Sequence, residues 1–129
     1  MPDHIFINKK IRFFNKKIQV GSDKSISIRS ILLASQSIGI SKISNLLESE
    51  DVLNTLKAIK KLGINYIKKK NVYHIQGFGL NSFKIKKNTI INAGNSGTLA
   101  RLILGLLVKS KFKVKLIGDK SLSKRDFSR

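Results

Sequence analysis

Three stretches of the chain place hydroxyls, amides and cations where a loop runs into a helix or leaves a strand, an arrangement suited to anions. In Gly21-Ser22-Asp23-Lys24-Ser25-Ile26-Ser27-Ile28-Arg29, a glycine-containing loop feeds a helix start. The first N–H groups of a helix have no partner within it, and the dipole adds positive potential there. Ser25 and Arg29 are four residues apart and share one helix face, so a hydroxyl beside a guanidinium could take a phosphate or carboxylate. A Ser-capped helix with a surface arginine explains this segment equally well. In Asn92-Ala93-Gly94-Asn95-Ser96-Gly97-Thr98-Leu99-Ala100-Arg101, two glycines within a polar loop let the backbone approach a ligand closely, and a helix follows at once. This is neither a Walker loop nor a GxGxxG fingerprint. A capped turn is the alternative, but the polar density ahead of so apolar a helix favours a site. The third stretch, Gly118-Asp119-Lys120-Ser121-Leu122-Ser123-Lys124-Arg125, is basic and follows a strand. Alone it would pass for a solvated loop.

The elements that must position these residues follow from periodicity and punctuation. The β-prone opening predicts strands over 4–7 and 11–20. Residues 24–38 read as an apolar-rich helix with Gly39 as its stop, and 40–45 as a strand. Ser49 is a candidate N-cap, with Glu50 and Asp51 in the first turn of a second helix. Its expected apolar stripe is Val52, Leu53, Leu56, Ile59 and Leu62, opposite Asn54, Lys57, Lys60 and Lys61, with Gly63 at the stop. Strands at 64–68 and 71–76 form a hairpin. After a loop the pattern restarts with a strand at 89–92, a helix over 97–110 and a strand at 111–117. This third helix is apolar nearly all round, so it should be covered on every side. Residues 15–77 thus make one βαβαββ unit and 83–129 begin a second, which reads as the front of a longer protein.

Composition narrows the class. The 129 residues carry 26 Lys+Arg against 7 Asp+Glu, a formal net charge of +19, and 41% are hydrophobic, enough for a core. The absence of Cys removes disulfides, thiol nucleophiles and Cys-type zinc sites; the two histidines, His4 and His74, are far apart. A catalytic metal centre built on imidazole is not expected. No apolar run approaches the roughly 20 residues of a bilayer span, and the first ten residues lack a signal-peptide core. The expectation is a cytoplasmic protein without a membrane partner. The lysines occur in short runs or alternate with apolar residues, as in Lys111-Phe112-Lys113-Val114-Lys115, which is the solvent face of a strand rather than a nucleic-acid footprint. A stand-alone RNA-binding module would interleave aromatics with the lysines on one face. Tyr66, Tyr73, Phe83 and Phe112 are too scattered for that, so no specific nucleic acid is expected.

The motifs KSISIR, LLESED, NAGNSGTLAR and GDKSLSKR stand in this order between about Gln19 and Arg125. Together they resemble the front of the EPSP synthases, the 3-phosphoshikimate 1-carboxyvinyltransferases. The resemblance implies a mixed α/β fold, an inside-out α/β prism built of βαβαββ units, of which this chain would hold about one and a half units of the first domain. It implies transfer of the enolpyruvyl group of phosphoenolpyruvate to the 5-hydroxyl of shikimate 3-phosphate, with no metal or organic cofactor, by a full-length enzyme that is a monomer. By resemblance Lys24 touches both substrates, Ser25 and Arg29 hold shikimate 3-phosphate, and Gly97 and Arg125 hold phosphoenolpyruvate. Asn95, Thr98 and Arg101 support that loop and helix. Asp51 matches an acidic position of the family, although a helix-start carboxylate explains it as well. The family's proton-transfer carboxylate and lysine lie beyond residue 129, so this chain would supply clamps only. Where the family usually reads Lys-Arg-Pro, this chain reads Lys124-Arg125-Asp126, placing an anion next to Arg125 in the chain. The related UDP-N-acetylglucosamine enolpyruvyl transferases have Asn where this chain has Ser25, and use a cysteine that it lacks.

Overall fold

The computed structural model describes residues 20–128, with Phe13, Asn15 and Lys17 ahead of them. The strands expected at 4–7 and 11–20 lie outside the described residues, except for Phe13, Asn15, Lys17 and Val20, none of which is in a strand. Helix α1, Lys24–Gln36, opens on Asp23, whose Oδ1 accepts the Ile26 N–H at 2.7 Å. It stops two residues earlier than the sequence predicts. The Ser37 hydroxyl donates to the Ala34 carbonyl at 2.8 Å, and the chain turns out into strand β1, Ile38–Ser44. Gly39 is therefore a strand residue with φ +92°, paired with Gly77, and not the helix stop. Strand pairing that begins at Ile38 leaves no room for a further half-turn of helix.

Helix α2, Glu50–Lys61, begins after Ser49 as predicted, although the Ser49 side chain makes no capping bond. It ends in a Schellman motif: Gly63, at φ +86°, donates to Lys60 O at 3.1 Å and Ile64 to Ile59 O at 3.0 Å. Two stripe assignments reverse. Asn54 is buried and Leu53 is exposed, because α2 turns the Val52–Thr55–Leu56–Ile59 side inward. Strands β2, Tyr66–Lys69, and β3, Val72–Phe78, form the expected hairpin around Lys70, which adopts φ +54°. β1 pairs antiparallel with the other side of β3, from Ile38↔Phe78 to Ser44↔Val72, giving a sheet of order β1-β3-β2.

A second, two-stranded parallel sheet joins β4, Thr89–Asn92, to β5, Val114–Ile117, with helix α3, Gly97–Leu107, as the crossover. α3 ends before residue 110 and β5 starts after 111. The intervening Ser110 hydroxyl donates to Phe112 O and accepts from Phe112 N, which folds that stretch into a turn. One core unites Ile28, Ile31 and Leu32 of α1, Val52, Leu56 and Ile59 of α2, Tyr73 and Ile75 of β3, and Ile91, Leu99 and Ile103. The expected all-round burial of α3 is corrected. Leu99, Ala100, Ile103 and Leu107 are covered, whereas Leu104 is 44% and Val108 80% exposed.

Candidate functional site

The three helices begin close to one another. Lys24, the first residue of α1, sets its Nζ 3.0 Å from Oδ2 of Asp51 in the first turn of α2. The loop leading into α3 presses on that same turn: a Cβ on Gly94 would stand 2.5 Å from Asn54 Nδ2 and 3.8 Å from Glu50 Oε1. Gly94 also has φ +57°, so both its backbone and its surroundings exclude a side chain. Three positive helix ends gathered in this way favour an anion far more than one would. Among the described residues the amides of Lys24 and Ser25 have no acceptor, nor do those of Gly97 and Thr98 at the start of α3.

The second and third motifs, distant in sequence, form one unit. Ala93 N donates to Ile117 O at 2.8 Å and Asp119 N to Gly94 O at 2.9 Å, stitching the loop after β4 to the loop after β5. Ser96 caps α3 through its hydroxyl, which accepts Leu99 N–H at 3.1 Å, and Asn92 Oδ1 accepts Gly94 N–H at 2.8 Å. Arg125 follows a short 3₁₀ turn, Leu122–Lys124, and donates through Nη2 to Asn95 Oδ1 at 2.8 Å. Its Nη1 lies where a Cβ on Gly97 would be only 2.7 Å away. The guanidinium therefore lies against the opening of α3, beside its two free amides. The Asn95 amide in turn donates to Asp119 Oδ2 at 2.6 Å, and Leu122 N donates to Asp119 Oδ1 at 2.7 Å. Those donors, helped by the charge of Arg125, hold the Asp119 carboxyl below the usual carboxylate range.

Ser25 is half-buried and Arg29 exposed on α1, and neither side chain has a partner among the described residues. Arg29 lines a groove of about 250 Å³ between α1 and α3, together with Leu32, Leu33, Gln36, Leu102 and Leu106. Thr98 is half-buried at the start of α3. Arg101 donates to Asp126 O at 2.9 Å and lies 5.3 Å from the Phe127 ring centroid. The carboxylate of Asp126 does not oppose Arg125. The Ser128 hydroxyl first, then the Ser128 N–H that Oδ1 accepts at 2.8 Å, and last the nearby Arg101 lower its own pKa. Among the described residues no group of three or more His, Cys, Asp or Glu side chains could hold a metal, and no helix is long and apolar enough to cross a membrane.

The sequence profile of EPSP synthase (3-phosphoshikimate 1-carboxyvinyltransferase) matches residues 9–129. The chain belongs to the EPSP synthase family. It is 41% identical over 121 residues to the 3-phosphoshikimate 1-carboxyvinyltransferase of Sulfurihydrogenibium sp. (strain YO3AOP1), covering 94% of this chain and 28% of that protein. With the enzyme of the same name from Ruthia magnifica subsp. Calyptogena magnifica it shares 45% over 124 residues, 96% of this chain and again 28% of the relative. A solved EPSP synthase from Acinetobacter baumannii superposes with a TM-score of 0.75 at 38% identity, covering 85% of this chain and 25% of that one. The chain thus spans about a quarter of the length of these relatives. Within this EPSP synthase fold, the residues that sequence reasoning missed are Asn54 and Asp119. Asn54 was assigned to the solvent side of α2, and nothing in its spacing marks it as the residue that abuts Gly94. Asp119 carries no signal in the sequence beyond its place in GDKSLSKR. Its importance depends on the loop after β4 being beside it.

Proposed function

We propose that this chain supplies the substrate clamps of an EPSP synthase, binding shikimate 3-phosphate and phosphoenolpyruvate for enolpyruvyl transfer. The observation that carries the reading is the Arg125 guanidinium lying against Gly97, with the Gly97 and Thr98 amides free beside it. Phosphoenolpyruvate bears a phosphate and a carboxylate, and fixed N–H donors with a guanidinium match both groups. Lys24 stands between α1 and α2 with its side chain half exposed, able to reach an anion while Asp51 holds it in place. Ser25 and Arg29 extend the donor set along α1 toward the second phosphorylated substrate. Such fixed cations and amides also stabilise charge that shifts toward the departing phosphate during transfer. The family's proton-transfer groups are expected outside these residues, and the full-length enzyme is expected to act as a monomer in the cytoplasm.

Nuclear magnetic resonance titration of the 129-residue chain tests this directly. Shikimate 3-phosphate should shift the amides of residues 24–29, and phosphoenolpyruvate those of Gly97, Thr98 and Arg125. Replacing the matching segment of the Acinetobacter baumannii enzyme with this chain gives a catalytic readout. There Lys24→Ala should lower kcat and raise KM, because the lysine is assigned to both substrates. If neither substrate moves these amides, the clamp assignment fails; a mild KM change alone would remove Lys24 from the site.

A further inference from the structure

We infer that Asp119 is a positioning residue for the anion clamp, fixing the Asn95 amide so that its oxygen faces Arg125. The inference rests on the reading of Arg125 as the clamp and extends it to a residue that touches no substrate. A carboxylate can only accept hydrogen bonds and a guanidinium can only donate them. Asn95 lies between the two, giving its NH₂ to Asp119 Oδ2 at 2.6 Å and receiving Arg125 Nη2 on its oxygen at 2.8 Å. Only one orientation of the amide satisfies both neighbours. Asp119 is itself held from several sides: its N–H donates to Gly94 O, its carbonyl accepts Ser123 N–H, and its Oδ1 accepts Leu122 N–H. The relay therefore runs from a fixed backbone through a carboxylate and an amide to the guanidinium that lies against Gly97.

Asp119→Asn is nearly isosteric and keeps an oxygen for the Leu122 N–H, yet it sets an NH₂ against the NH₂ of Asn95. Relief requires the Asn95 amide to turn over, which points a donor at Arg125 and expels the guanidinium. Phosphoenolpyruvate and inorganic phosphate titrated into the full chain should then bind about tenfold more weakly than to the unaltered chain, the scale of one lost charge-assisted hydrogen bond. The amide shifts of α3 and Leu122 should stay in place, and the Arg125 side-chain resonance should move. Combining Asp119→Asn with Asn95→Asp restores a donor–acceptor match at both contacts and should return that resonance toward its original position. Unchanged anion affinity in Asp119→Asn, with affinity lost in Arg125→Ala, would overturn the positioning role and leave the clamp intact. Unchanged affinity in Arg125→Ala would overturn the clamp, and the positioning role with it.

Discussion

Gly97 shows how one missing side chain can shape a site. It opens α3 without a positive φ, so alanine fits the backbone there and should even favour the helix. The obstacle is the end of the Arg125 side chain, whose Nη1 lies 2.7 Å from the position of the new Cβ. That end is flexible and can swing away at little cost to folding. Gly97→Ala should therefore change stability by less than about 1 kcal/mol while weakening phosphoenolpyruvate binding roughly tenfold, as Arg125 leaves its place. Urea unfolding and calorimetric titration separate the two effects. A variant that keeps full affinity would show that Arg125 does not bind through the position seen here. Gly94 is a different case, because its φ of +57° and the Asn54 amide both oppose substitution, so a change there would test folding more than binding.

Among the elements, the segment leading into α2 is tied to the β2–β3 hairpin by Glu48. Its Oε1 accepts from Lys68 Nζ and, at 2.9 Å, from the Tyr73 hydroxyl, while the Lys68 ammonium lies 5.5 Å from the Tyr73 ring centroid. The Lys68 bond first, then that of Tyr73, lowers the Glu48 pKa. A carboxyl whose folded pKa is depressed contributes stability that is complete above its unfolded value, near 4.5, and is lost as pH falls through the folded value. The stability difference between the unaltered chain and Glu48→Gln, read from urea midpoints, should therefore be present at neutral pH and shrink towards pH 3. A difference independent of pH would mean that the charge of Glu48 does not hold the hairpin. The ends of the elements were less legible than their existence. The start of α2 after Ser49, its Gly63 stop and the Val52, Leu56, Ile59 and Leu62 part of its stripe were visible from spacing because they are local, whereas the placing of Leu53 and Asn54 was not. The end of α1 was not, since pairing of Ile38 with Phe78, forty residues on, decides it.

At the scale of the whole molecule, α3 presents an apolar face that nothing among the described residues covers. Leu104 and Val108 are exposed on it. Apolar faces of this kind promote association. Replacing both Leu104 and Val108 with Gln should reduce self-association in sedimentation without lowering the urea midpoint. Ile103→Ala, on the covered side, should instead cost about 2–5 kcal/mol of stability. Equal losses of stability from the two changes would mean that the outer face is packed in solution. The sequence by itself determined the family, through four motifs in register, and most of the element order, because periodicity, capping and glycine stops act within a few residues. Only the tertiary structure decided that the starts of α1, α2 and α3 meet, that Asn54 faces inward, and that Asp119 holds Asn95 for Arg125. Those contacts join residues 24 or more positions apart, and long-range pairing is fixed by how the sheets and helices pack, not by any local preference of the residues that meet.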